Sequence, residues 1–114
     1  MDATFPKSER LCGKTAVEAL FEQGKSMQTG CLRCRYLRRG EGENASRVVI
    51  SVPKRLFKRA VKRNLLKRRI RESYRRQKSL LENATDLLFV YTSREVLPYK
   101  AVYEDMTRIL EALR

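Results

Sequence analysis

The chain has no histidine and no tryptophan. Without histidine, the usual side-chain base near neutral pH is missing. Acids are scarce too, 13 Asp and Glu against 26 Lys and Arg, and they cluster only at Glu104 and Asp105. No nucleophile motif and no Gly-rich phosphate loop is present, so no catalytic residue is expected in this chain. Glu41 and Glu43, in a predicted hairpin loop, read as solvated turn acids rather than metal ligands. The three cysteines, Cys12 and the C-x-x-C pair Cys31 and Cys34, cannot build a four-ligand zinc site from thiolate and imidazole. The pair falls in a predicted strand, where residues three apart point to opposite faces. That argues against a redox dithiol and for ordinary reduced thiols. Long apolar runs are also missing: the longest covers residues 87–91, far short of the roughly 20 residues of a membrane span. The first eleven residues hold Asp2, Lys7, Glu9 and Arg10 without an apolar stretch, so no signal peptide is expected and the expected location is cytoplasmic.

What is abundant is positive charge. A formal charge of +13 over 114 residues and a pI near 10.2 call for a polyanionic partner. With neither a span nor a helix with a broad Leu/Phe/Trp face, no membrane partner is expected. The length and 42% hydrophobic content suit a single domain, residues 1–114, with a modest core.

The charge concentrates in residues 54–76, where 12 of 23 residues are Lys or Arg and Glu72 is the one acid. Leu56, Phe57, Ala60, Val61, Leu65, Leu66, Ile70 and Tyr74 are threaded through it, which a disordered basic tail would not need. The pattern predicts a helix. On its wheel, Asn64, Lys67, Arg68, Arg71 and Arg75 share an arc of roughly 100°. Leu66, Ile70, Ser73 and Tyr74 occupy the neighbouring arc, suited to a sheet. Arg63 falls at the apolar edge, either snorkelling or held by a specific contact. Lys62, Arg69 and Arg76 face away as solvated charges. Like charges at i,i+4, such as Arg59 with Arg63 and Lys67 with Arg71, cost a few tenths of a kcal/mol each, so a polyanion that relieves them is the better account than a merely solubilising face.

Around this helix the pattern predicts other elements. Thr15 and Glu18 fit a capping box, opening a short helix over residues 16–23 that Gly24 stops. Its stripe of Val17, Leu20 and Phe21 reads as core. Alternation over residues 31–38 and 47–52 predicts two strands joined as an antiparallel hairpin, with Arg33 and Arg35 on the outer face of the first. Pro53 ends the second strand, and Lys54 and Arg55 lead into the basic helix. Residues 86–92 read as a buried strand. Val102, Met106, Ile109, Leu110 and Leu113 mark a closing helix that is close to charge-balanced.

The run Arg47-Val48-Val49-Ile50-Ser51-Val52-Pro53-Lys54-Arg55, then Ala60-Val61-Lys62-Arg63-Asn64, Lys67-Arg68 and Ile70-Arg71-Glu72 resembles the bacterial ribonuclease P protein subunit. That family has a strand ending S-V-x-K-K before a helix A-V-x-R-N-R-x-K-R-x-x-R. More loosely, the likeness extends from Phe5 to the C-terminus. It implies an α/β (α+β) two-layer sandwich, with helices packed on a small mixed sheet and the basic helix in a left-handed βαβ crossover. As activity it implies a subunit of ribonuclease P, the endoribonuclease that removes the 5′ leader of precursor tRNA. The partners implied are the ribonuclease P RNA and precursor tRNA, not DNA; Mg²⁺ is held mainly by the RNA, which performs the cleavage. Carried over, Arg63, Asn64, Lys67, Arg68 and Arg71 meet the RNA, with Lys54, Arg55, Arg59 and Arg75 beside them. Val17, Phe21, Arg33 and Arg35 line a cleft for the leader. The sequence departs from the family at Leu65, where the R-N-R triplet ends in Arg, and at Val17, often aromatic. Charge and composition alone also allow a ribosomal or other structural RNA-binding protein. A DNA-binding helix-turn-helix is disfavoured because strands and Pro53 precede the basic helix.

Overall fold

The computed structural model describes residues 14–38, 46–81 and 84–114. The first helix, α1, covers Lys14–Gln23 and closes with the Gly24 N–H donating to Leu20 O at 2.9 Å. The side chains of the predicted capping box at Thr15, the loop acids Glu41 and Glu43, and Cys12 lie outside the described residues. Gly24 does stop the helix, but not through the left-handed backbone of a usual glycine cap: among the described residues only Gly30 has positive φ. A Cβ at Gly24 would sit 2.3 Å from Leu20 O and 2.9 Å from Tyr36 O, so glycine is needed there for close approach of the helix end to the sheet.

Strand β1, Lys25–Thr29, had no signature of its own. Met27 is its one large apolar residue, and it is a strand because it pairs antiparallel with β2, Leu32–Arg38. Gly30, at φ 45, makes the turn. The predicted hairpin between residues 31–38 and 47–52 does not form. Strand β4, Thr85–Tyr91, lies between β2 and β3, Arg47–Ser51, in the order β1-β2-β4-β3. It runs antiparallel to β2, with Cys34 opposite Phe89, and parallel to β3, with Val48 opposite Leu87. The most apolar strand thus takes a central position, and the polar β1 takes an edge.

Helix α2, Ala60–Gln77, connects the parallel pair β3 and β4, and α3, Tyr99–Leu113, closes the chain. Thr92 donates its N–H to Cys31 O at 2.8 Å, so the even-numbered residues of β4 aim their amides at β2. Given L-residue geometry, β3 then lies on the side that makes β3–α2–β4 a left-handed crossover, against the usual preference.

Helices α2 and α3 cover one sheet face. Leu66, Ile70 and Tyr74 of α2 and Val102, Met106, Ile109 and Leu110 of α3 are fully buried with Leu32, Cys34, Leu87, Phe89 and Tyr91. The Tyr74 and Phe89 rings meet at 5.8 Å between centroids. Polar ties set the helices against each other: Gln77 Nε2 donates to Tyr103 O at 3.2 Å, and Thr107 Oγ1 donates to Gln77 Oε1. Arg69, expected to be a solvated charge, donates to Leu97 O. With Tyr91, whose hydroxyl accepts from the Leu97 N–H at 3.1 Å, it fastens the segment leading into α3.

Helix α1 lies on the other face. Leu20 is fully buried yet stands apart from the main core.

The cysteine argument also changes. Cys31 is in the β1–β2 turn rather than a strand, and both thiols are buried in the same core. Burial, reinforced for Cys31 by the neighbouring Asp105 carboxylate, pushes both thiols up to about 12. They are protonated and inert at neutral pH, which keeps the reading of ordinary reduced thiols on a different physical ground. Asp105 accepts the Cys31 N–H at 2.9 Å and an Arg108 N–H at 2.8 Å, tying α3 to the turn.

Candidate nucleic-acid interface

Helix α2 carries eight basic residues and one acid. Its apolar stripe faces the sheet as the wheel predicts, with Leu66, Ile70, Ser73, Tyr74 and Gln77 buried. The flank bearing Arg69 and Gln77 turns to α3, so the opposite flank, with Asn64, Lys67 and Arg71, faces past the edge strand β3. Among the described residues, the side chains of Lys67, Arg68 and Arg71 meet no hydrogen-bonding or ionic partner. Their repulsion is left unrelieved within the protein, as expected of a surface completed by an anion.

Two of the predicted contacts are not free. Arg63 donates from Nη1 to Phe57 O and Lys58 O, both at 2.8 Å. This specific contact, rather than snorkelling, holds the turn that carries Lys54 and Arg55 onto the first turn of α2. Arg75 is paired with Glu72, donating from Nε to Oε2 at 3.0 Å. Arg76 joins the same carboxylate at 3.2 Å and is therefore not a simple solvated charge either. The two Arg75 hydrogen bonds chiefly, with the one from Arg76, hold the Glu72 carboxyl down at about 2. Lys54, Arg55 and Arg59 are exposed around the helix start. No side-chain oxygen caps that start, so the positive end of the helix dipole adds to the local field.

The second surface is on the far side of the sheet. A cavity of about 400 Å³ opens between α1 and the sheet, lined by Val17, Leu20 and Phe21 of α1, by Arg33 and Arg35 of β2, and by strand residues including Val49, Ser51 and Val90. All four residues predicted for the cleft are brought together here. Phe21 is 52% exposed, so reading it as core was wrong: Leu20 turns inward and its neighbour faces the groove. Arg33 is exposed. Arg35 is not free: its Nε donates to Leu20 O at 3.0 Å, its Nη2 donates to Phe21 O, and its guanidinium lies 5.4 Å over the Phe21 ring. Since β3 contributes Val49 and Ser51 to this lining, a single edge strand separates the cleft from the basic flank of α2.

No group of three or more acids or thiols that could hold a metal is present among the described residues, and no described helix is long and apolar enough to cross a membrane.

Fold and surfaces together define a basic α+β protein built to bind nucleic acid, with one charged helical face and one partly apolar groove. A sequence model of the family Ribonuclease P matches residues 5–114, and the chain belongs to the ribonuclease P protein family. It is similar to the ribonuclease P protein component of Porphyromonas gingivalis, 36% identical over 95% of this chain and 86% of that protein. To that of Thermotoga maritima it is 33% identical over 96% of this chain and 85% of that one. The solved RNase P protein of Thermotoga maritima superposes with a TM-score of 0.79 at 25% identity, covering 93% of this chain and 98% of its own. The Staphylococcus aureus protein shares the fold, with a TM-score of 0.80 at 22% identity over 95% and 97% of the two chains. The chain is therefore a subunit of ribonuclease P, the endoribonuclease that processes the 5′ end of tRNA.

Proposed function

We propose that the α2 face built on Asn64, Lys67, Arg68 and Arg71 binds the ribonuclease P RNA, and that the cleft under α1 takes the single-stranded 5′ leader of precursor tRNA. The carrying observation is the placement of Phe21, an exposed aromatic ring in a groove with Arg33 beside it. A stacking platform flanked by positive charge is the usual construction for single-stranded nucleic acid. Lys54, Arg55 and Arg59 extend the RNA face around the start of α2. Arg63 supports it by fixing the turn, and Arg75 contributes after sharing its charge with Glu72.

In this reading the RNA subunit supplies the catalytic centre and Mg²⁺ supports its chemistry. The part assigned to the protein rests on its basic face and its groove, and Mg²⁺ is assigned to the RNA. The protein lowers the repulsion between RNA phosphates and holds the leader. The setting is cytoplasmic. The test is affinity in the reconstituted complex: Phe21→Ala should weaken precursor tRNA by about 1–3 kcal/mol and leave mature tRNA unchanged. Equal weakening of both would remove the leader from this cleft.

A further inference from the structure

Arg33 and Arg35 are two residues apart on one strand and on the same face, yet their surroundings differ. Arg33 is exposed toward the groove, and its side chain meets no partner among the described residues. The guanidinium of Arg35 has its Nε–Nη2 edge filled by two carbonyls from the last turn of α1, Leu20 O and Phe21 O. That edge is one with which an arginine forks onto a phosphate. The carbonyls lie at the negative end of the helix, where a cation is stabilised in place. The same guanidinium lies over the Phe21 ring and covers one of its two faces.

We propose, on the basis of the leader-cleft reading above, that Arg35 is a positioning residue. It pins the last turn of α1 to β2 and leaves the Phe21 ring one open face for one nucleobase, while Arg33 is the phosphate contact of the cleft. The groove then accepts a single stacked base irrespective of its identity, because every base presents a π-face. Lysine cannot replace Arg35: an ammonium has neither the fork for two carbonyls nor the plane to lie on a ring. At position 33 a point charge still attracts a phosphate, though without the arginine fork.

Two measurements on the full chain test this. In the complex reconstituted with ribonuclease P RNA, the ratio of precursor to mature tRNA affinity is measured for wild type, Phe21→Ala, Arg35→Lys, Arg33→Lys and the Phe21→Ala/Arg35→Lys double variant. Arg35→Lys, which keeps the charge, should lower the ratio by about fivefold, the scale of a lost cation–π contact and hydrogen bond. It should add nothing in the Phe21→Ala background, since the two act through one ring. Arg33→Lys, which keeps a charge at the phosphate contact, should lower the ratio less than Arg35→Lys does. An Arg35→Lys ratio equal to wild type would remove its positioning role, and an effect that multiplies with Phe21→Ala would make it a separate contact; either result overturns the proposal. The second measurement is hydrogen exchange of the Gly24 amide, which bonds Leu20 O. It should accelerate in Arg35→Lys and not in Arg33→Lys, and unchanged exchange would refute the clamp independently of any RNA. If Phe21→Ala leaves the ratio intact while exchange accelerates, the leader reading fails and the clamp stands as a property of the fold.

Discussion

Gly24 shows how one residue couples the helix to the sheet. Substituting Ala places a Cβ 2.3 Å from Leu20 O and 2.9 Å from Tyr36 O, and both are backbone atoms with little room to retreat. Gly24→Ala should therefore destabilise the protein by about 2 kcal/mol, the cost of forcing extra volume into a tight contact. A urea unfolding midpoint unchanged from wild type would show that the approach relaxes freely. The sequence marked Gly24 as a helix stop, but the reason for glycine, a carbonyl from a strand twelve residues away, was not local and could not be read. Phe21 carries the same lesson. It neighbours Leu20 in an apolar stripe, and residues about 100° apart on a helix cannot be sorted into core and groove until the packing partner is known.

Among the elements, α2 was the most legible, because its apolar residues repeat at helical spacing and its charges fall on the other side. The basic arc predicts its own salt dependence. Affinity for RNA should fall with salt at a log–log slope of about −0.7 per phosphate neutralised on single strands. Replacing Lys67, Arg68 and Arg71 with Ala should flatten the slope by about two units, and an unchanged slope would place the contact on another surface. The role of Glu72 was less legible, since nothing in spacing alone shows that one acid serves two arginines. Its carboxyl is held at about 2 in the fold, Arg75 contributing most, below the usual value near 4.3. The linkage therefore stabilises the fold above about pH 4 and is lost as pH falls toward 2. Unfolding by urea between pH 5 and 2 should show wild type losing stability that Glu72→Gln, already uncharged, does not lose. Parallel pH profiles would mean the pairs add nothing. By contrast, β1 was invisible. KSMQT has no alternating apolar set, and it is a strand because β2 pairs with it.

At the scale of the molecule, the buried character of β4 was plain in its residues, but its place between β2 and β3 was not. That insertion turns an expected hairpin into a parallel β3–α2–β4 unit, puts α2 and α3 on one face, and leaves the other to α1. The outcome is a basic helical face and a partly apolar groove on opposite sides of one sheet with β3 between them. Family resemblance conveyed the left-handed crossover and a cleft lined from α1 and β2, but not that α1 and the other two helices take opposite faces; periodicity conveyed only the separate elements. Arg33 and Arg35 were legible as outward charges; that α1 would roof them, and that one would be engaged while the other stayed open, depends on contacts far apart in the chain. The central claim is that this protein supports a catalytic RNA in leader removal. It is tested most directly by the rate of precursor tRNA cleavage by ribonuclease P RNA at low Mg²⁺, with and without the protein. The predicted result is slow cleavage by the RNA alone and marked acceleration when the protein is added; a rate unchanged by the protein would contradict the account.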